Sequence, residues 1–387
     1  MERREEFVRL ARLPGANRAE LCRRFGVSRS NGYKWLRRFE TDGTTALAER
    51  SRRPESSPGR TPWWLEARVL AVRSENPTWG GRKIRRVLET EGVASAPSPS
   101  TITEILRRGG VLDGPRAGER RAWTRFEHAE PNLLWQMDFK GHFALQGGGR
   151  CHPLTILDDH SRYALEVGAC GDEQTQTVRA RLTEVFRRHG LPRRILADNG
   201  PPWGTAGADT PHTALSVWLL DLDVGLVHGR PYHPQTQGKD ERFHRTLKAD
   251  VIARQSFDTL DKAQAAFEAW RALYNERRPH EALDYQTPSS RYRMSARSMP
   301  EVVAPPQYEG SAAVRTVADT GWIAFKGRRF NCSKAFAGRR VALRTTDADG
   351  LFDLCYRNQV LAQVDLRQNL VQPVLDVPER VSPMSPV

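Results

Sequence analysis

Leu133-Leu134-Trp135-Gln136-Met137-Asp138-Phe139 is an apolar run with a single carboxylate inside it. Read as a strand, it puts Leu134, Gln136 and Asp138 on one face and Trp135, Met137 and Phe139 on the other. Asp is disfavoured inside strands, so either this strand is an edge whose Asp138 meets water, or the carboxylate has a task. The segments that follow extend the reading. After Pro153 comes a second strand, Leu154-Thr155-Ile156-Leu157, ending at Asp158-Asp159, and a third runs from Tyr163 to Val167. A helix is expected from about Glu173 to His189, and Arg194-Ile195-Leu196-Ala197 makes a fourth strand that ends in Asp198. A helix from Thr213 to Leu220, a short strand at Gly225-Leu226-Val227 and a long helix holding Glu241 complete the series. Three strands in a row, then alternating helix and strand, predict a mixed sheet with helices packed on it.

Charge sharpens the question of what Asp138, Asp198 and Glu241 do. Lys and Arg number 60 against 46 Asp and Glu, a formal net charge of +14, which should draw a polyanion such as nucleic acid. Carboxylates gathered in that positive field would repel phosphate unless a divalent cation sat between them. Metal-dependent chemistry on a DNA or RNA backbone is the expectation. Taken singly, each residue has a plainer alternative. Asp198 ends a strand, where ligand sites of α/β sheets gather, yet Asp198-Asn199-Gly200 is also strong turn chemistry. Glu241 lies well round its helix from the stripe Phe243, Leu247 and Val251, sharing a face with Arg245 and Lys248. It could equally be a solvated acid paired with Arg245, and Asp240 an acid favoured by the helix N-terminus.

A chain of 387 residues exceeds one ordinary core. Pro- and Ser-rich 51–60, Arg-rich 113–131 and Pro-rich 300–311 read as linkers. They divide the chain into 1–50, 63–112, 131–293 and 311–370. In the first unit Asn17, with Glu20 three positions on, caps a helix that carries Leu21 and Phe25 inward and stops at Gly26. Ser28 caps a second helix through Arg38, with Tyr33 and Leu36 inward and Arg29, Asn31, Lys34 and Arg37 free to meet DNA. That is a helix-turn-helix, or else a small bundle with a basic face. The second unit repeats the theme: Leu65, Val69 and Val72 mark one helix, Gly80-Gly81-Arg82-Lys83 opens another, and Ser98 caps a third bearing Ile102, Ile105 and Leu106. The fourth unit, with Trp322-Ile323-Ala324-Phe325, Lys326-Gly327 and Val341-Ala342-Leu343, predicts a small basic β-barrel. The tail from Gln372 reads as disordered. No apolar run reaches the roughly 20 residues of a membrane span, and no apolar signal core follows the charged start. Five scattered cysteines without C-x-x-C spacing fit a reducing cytosol, so a cytoplasmic protein is expected.

The motifs together resemble the bacterial insertion-sequence transposases of the retroviral-integrase-like, DDE type. Trp135-Gln136-Met137-Asp138 is similar to that family's first-carboxylate strand, and Asp158-Asp159-His160-Ser161-Arg162 to the turn after it. Asp198-Asn199-Gly200 matches the second carboxylate, and the stretch from Pro231-Tyr232-His233-Pro234 to Gly238-Lys239-Asp240-Glu241-Arg242 the third. Tyr274-Asn275 and Arg278-Pro279-His280-Glu281-Ala282-Leu283 match the closing segment. The resemblance implies a ribonuclease-H-like core in which Asp138, Asp198 and Glu241 are catalytic and hold two Mg²⁺ ions, with Mn²⁺ as a substitute. It implies binding of element ends and target DNA, with Arg245 and Lys248 near the DNA, release of a 3′-OH, and joining by a homo-oligomer. His233 and His244 are either DNA contacts near this site or structural histidines. A nuclease of the same fold that never joins, and a DNA-binding regulator with an idle site, are the alternatives. One departure stands out: 42 residues (199–240) separate Asp198 from Glu241, longer than the family's interval, with the excess assigned to a loop at 204–210.

Overall fold

The computed structural model describes residues 2–48, 59–112, 127–198, 200–204, 212–228, 238–368 and 370–373. Most of two expected linkers, the loop excess, His233 with the motif before Gly238, and nearly all of the tail lie outside the described residues. The chain forms two compact units, Met1–Pro62 and Trp63–Val387.

The first unit is three helices: α1 (Glu2–Ala11), α2 (Arg18–Arg24) and α3 (Arg29–Asp42). Asn17 caps α2 by accepting from the Glu20 N–H, and Ser28 caps α3 by accepting from that of Asn31. Gly26, at φ +63°, makes the tight turn between them. Phe7, Val8 and Ala11 of α1, not anticipated from sequence, complete a core with Cys22, Phe25, Leu36 and Leu47. One expectation fails: Tyr33 is 53% exposed, not inward. The buried stripe of α3 is Gly32 and Leu36, flanked by Trp35 and Phe39, and Tyr33 instead lies under Arg18. Gly32 is there because contact is close; a Cβ would come within 2.7 Å of Cys22 Sγ and 2.8 Å of Phe7 Cζ.

The second unit opens with α4 (Trp63–Glu75), α5 (Gly81–Thr90) and α6 (Pro99–Arg108), which close over Leu65, Val69, Trp79, Ile84, Leu88, Ile102 and Leu106. The core sheet follows. Its strands are β1 (Leu134–Phe139), β2 (Phe143–Ala144), β3 (Arg150–Asp158), β4 (Ala164–Cys170), β5 (Arg194–Ala197) and β6 (Gly225–His228). β3 pairs antiparallel with both β1 and β4, while β1–β5 and β5–β6 are parallel. β2 pairs with the start of β3. Helices α7 (Thr175–His189) and α8 (Ala214–Asp221) cover one side through Val178, Leu182, Val185, Phe186, Leu215 and Leu219. On another core, Phe243 and Leu247 of α9 (Gly238–Leu247) and Phe267, Trp270 and Tyr274 of α10 (Leu260–Glu276) meet Leu157, Ala164 and Val167. Asn275 fastens α10 to β4, accepting from the Ala164 N–H (2.8 Å) and donating to its carbonyl (2.9 Å). The mixed sheet is the one the strand pattern implies.

The helical segment α4–α6 is not a free module, for Leu273 of α10 packs into its core. Nor is the C-terminal segment a closed barrel. β7 (Ala313–Thr316), β10 (Arg340–Thr345), β11 (Leu351–Tyr356), β12 (Gln359–Asp365) and β13 (Leu370–Pro373) form an open antiparallel sheet ordered β13-β12-β11-β10-β7, and β8 (Trp322–Phe325) with β9 (Arg328–Asn331) makes a separate hairpin. Among the described residues no ladder joins that hairpin to either edge. Closure is unnecessary because the sheet's apolar face is already covered: Ile323, Phe325 and Phe330 of the hairpin, and Val217 and Leu220 of α8, share its core.

Candidate active site

β1 and β5 pair in the parallel register Leu134↔Arg194, Trp135↔Ile195, Gln136↔Leu196. Two residues further along come Asp138 and Asp198, which therefore lie level at the carboxyl ends of adjacent strands. Each is half-buried. Burial, and next the charge of Asp198, push the Asp138 carboxyl up to about 6.

Antiparallel pairing sets Thr155 of β3 opposite Asp138. The Thr155 hydroxyl donates to the Asp138 carbonyl (3.0 Å), so its 2.7 Å bond with His244 must be donated by Nε2 of the imidazole. Nδ1 of His244 then faces Asp138 Oδ2 at 3.8 Å. Burial, followed by the nearby charge of Lys140, lowers His244 to about 4, which keeps the ring neutral. His244 is thus buried and neutral, and it is hydrogen-bonded to Asp138 only through Thr155. Lys140, two residues beyond Asp138, was legible only as an i, i+2 neighbour on an extended chain.

Glu241 is placed differently. It is exposed on the first turn of α9, and among the described residues its side chain has no hydrogen bond or ion pair, so the alternative pairing with Arg245 is not formed either. The fold brings Asp138 and Asp198 together and does not bring Glu241 into contact with them. Among the described residues, no three His, Cys, Asp or Glu side chains form a group suited to a metal ion. Asp240 lies in the first turn of α9, as expected, and is buried there with Phe243, His244 and Leu247. Its Oδ1 has no partner, and burial, then the charges of Asp138 and Asp159, raise its carboxyl well above the usual range.

The start of α9 is anchored by a network that sequence reasoning missed. Lys239 donates to Asp159, which also accepts from Gln136 Nε2 (2.6 Å) and from the His128 N–H (3.0 Å). Burial works against the Asp159 charge, but His128, Lys239 and Arg162 together hold it well below the ordinary carboxylate range. Gln136 shares the face of β1 that carries Asp138, so one network ties the strand of Asp138 to the helix of Glu241. Of the residues expected to meet DNA, Arg29, Asn31, Lys34 and Arg37 are all exposed on α3, and Arg245 and Lys248 are exposed on α9 and the π-helical turn after it (Lys248–Ile252).

Comparison with known proteins places these parts. Two integrase core domain models match residues 128–234 and 222–288. A helix-turn-helix domain matches 3–55, a homeodomain-like domain 31–106, and the C-terminal domain of IS481 family transposases 312–372. An insertion element IS407 protein of Burkholderia multivorans is 28% identical over 231 residues, covering 58% of this chain and 79% of that protein. The Gag-Pol polyprotein of avian reticuloendotheliosis virus is 26% identical over 238 residues, covering 55% of this chain but 19% of the polyprotein. Among solved structures, the catalytic core domain of BIV integrase aligns at 24% identity and TM-score 0.32, over 41% of this chain and 92% of that domain. No helix among the described residues is long and apolar enough to cross a membrane. With an integrase core, helix-turn-helix segments before it and a transposase C-terminal domain after it, the chain belongs to the insertion-sequence transposases of retroviral-integrase-like type.

Proposed function

We propose that this chain binds the ends of a mobile element, cleaves there to free 3′-OH groups, and joins them to target DNA. The observation that carries the reading is the level placement of Asp138 and Asp198 on parallel neighbours β1 and β5. Two half-buried carboxylates, with burial and the charge of Asp198 raising the proton affinity of Asp138, are a poor pairing alone and a fitting donor set for a hard divalent cation. Asp138 and Asp198 would hold Mg²⁺, or Mn²⁺ in its place, and Glu241 joins them on the strength of its motif. Such a cation, when bound, supplies charge stabilisation at the attacking and leaving oxygens of an in-line displacement.

The chain's own residues do the rest. Thr155, itself bonded by His244, fixes the backbone at Asp138. The Lys239–Asp159 anchor fixes the turn that carries Glu241. In the first step water adds to an element-end phosphodiester and its P–O3′ bond breaks, leaving a 3′-OH and a 5′-phosphate. In the second the 3′-OH attacks a target phosphodiester and displaces a second 3′-oxygen. Neither step needs a covalent protein–DNA link. Arg29, Asn31, Lys34 and Arg37 of α3, with Arg245 and Lys248, contact the DNA, and joining two ends calls for more than one copy of the chain.

Asp138→Asn tests this. With Mg²⁺ it should reduce both cleavage and joining on the order of 10²–10³-fold or more, while DNA affinity is kept. Wild-type joining by the variant overturns the assignment. A wild-type protein whose cut ends never join is a nuclease, and one that binds without cutting is a regulator.

A further inference from the structure

The interface between α4–α6 and the core gathers Arg82, Lys83, Arg242 and Arg278 around Glu281 and Asp250. Arg82, in the first turn of α5, reaches Glu281 at 2.8 Å, and Arg242 of α9 reaches the other oxygen of the same carboxylate at 3.6 Å. Both arginine side chains remain more than half exposed, at 63% and 54%. Beneath them Arg278 is spoken for: it bonds Asp250 at 2.7 Å, and Asp250 also accepts from Thr78 (2.7 Å) and Trp270 (3.0 Å). The Lys83 ammonium lies within the electrostatic reach of Arg278, Asp250, Arg242 and Glu281, yet among the described residues it forms no hydrogen bond or ion pair. Arg82, Lys83 and Arg242 thus crowd round Glu281, with the two guanidinium groups open to solvent.

A half-buried ammonium without a partner is costly unless something anionic fills the position. Burial, and after it Arg278, depress the Lys83 ammonium to about 7, as expected of a site short of negative charge. The helix end adds to this: α5 begins at Gly81, and Gly80 before it gives no side-chain cap to its first N–H groups. Position tells which anion. Arg242 directly follows Glu241, so whatever it binds lies within a turn of the third candidate carboxylate. We propose that Arg82, Lys83 and Arg242 form a clamp for a backbone phosphate of the DNA strand engaged at the acidic site. The α4–α6 segment is then part of the active-site wall and not only a second reader of sequence. This rests on the DNA reading above.

The test uses the full chain, a fluorescent 30-bp duplex of random sequence, and the same duplex with both ends closed by hairpin loops. Affinity is measured across a salt series for wild type, Arg82→Gln/Lys83→Gln and Glu281→Gln. Each phosphate contact contributes about 0.9 to the slope of log K against log salt, so the double variant should lose about 1–2 from that slope. Glu281→Gln, which removes the competing carboxylate, should move the other way and bind more tightly. Lys83→Gln alone has no bond to break, keeps the fold, and should still lose about 1. An effect on both probes assigns the phosphate to duplex interior, as in target DNA; an effect on the open duplex alone assigns it to a strand end. Unchanged slopes for all three variants beside a steep wild-type slope overturn the clamp and leave the transposase reading standing. A flat wild-type slope defeats the DNA reading itself.

Discussion

Replacing Lys83 by Met should make the folded chain more stable, and should do so in a pH-dependent way. The unfolded lysine holds its proton to about 10.4, whereas burial and Arg278 bring it down to about 7 in the folded chain. Between those values the unfolded state binds more protons, so this group makes stability rise with pH across the window. At pH 6 the ammonium is charged in both states, and its charge opposes folding by up to ~5 kcal/mol at 1.36 kcal/mol per pKa unit. One side of Lys83 meets solvent, which reduces this to ~2 kcal/mol. Met keeps the apolar stem and carries no charge, so Lys83→Met should gain ~2 kcal/mol at pH 6 and about half that at pH 9. The check is urea unfolding of the intact chain at both pH values, with wild type beside the variant. A variant less stable than wild type at pH 6, or a gap that does not narrow by pH 9, refutes the reasoning. The same substitution should weaken DNA binding, the pattern of a residue kept for function against stability.

Two further substitutions probe the parts that hold the site. Gly32→Ala drives a methyl group into Cys22 and Phe7 and should lower stability by ~1–3 kcal/mol. Its readout is a lower thermal midpoint for the Met1–Pro62 unit together with weaker DNA binding, and a neutral result would mean that α3 is not held as described. Asp221→Ala strips partners from the Tyr356 hydroxyl (2.5 Å) and Arg339 (2.8 Å), which fasten the C-terminal sheet to α8. It should reduce stability by ~2–4 kcal/mol, seen as a shifted unfolding midpoint and proteolytic release of the C-terminal sheet.

Much of the fold was legible because local chemistry repeated itself along the chain. Apolar runs of strand length marked β1, β3 and β5, and Asn17, Ser28 and Ser98 marked helix starts that the fold uses as caps. Periodicity failed where a residue's fate depended on another element. Tyr33 and Leu36 are three apart and both suit an inward face, but α1 packs against Gly32, which turns Tyr33 outward. Of the seven C-terminal strands among the described residues only two were legible, at Trp322–Phe325 and Val341–Leu343, and whether the sheet closes depends on what covers it, as α8 does.

The candidate site divides in the same way. Sequence by itself put an acid within β1 at Asp138 and another just past β5 at Asp198, since an acid in or after a strand is a local statement, and it determined the excess of positive charge. Tertiary structure decided that these two acids lie level, because strand register is a property of pairs. It also decided that Asp240 is buried while Glu241 is exposed: the two are neighbours in sequence, and only the packing of α9 on the sheet chooses which one points inward. The Lys83 cluster was hidden for the same reason. Its charges come from α5, α9 and the segment after α10, far apart along the chain, and electrostatic strength depends on their separation in space.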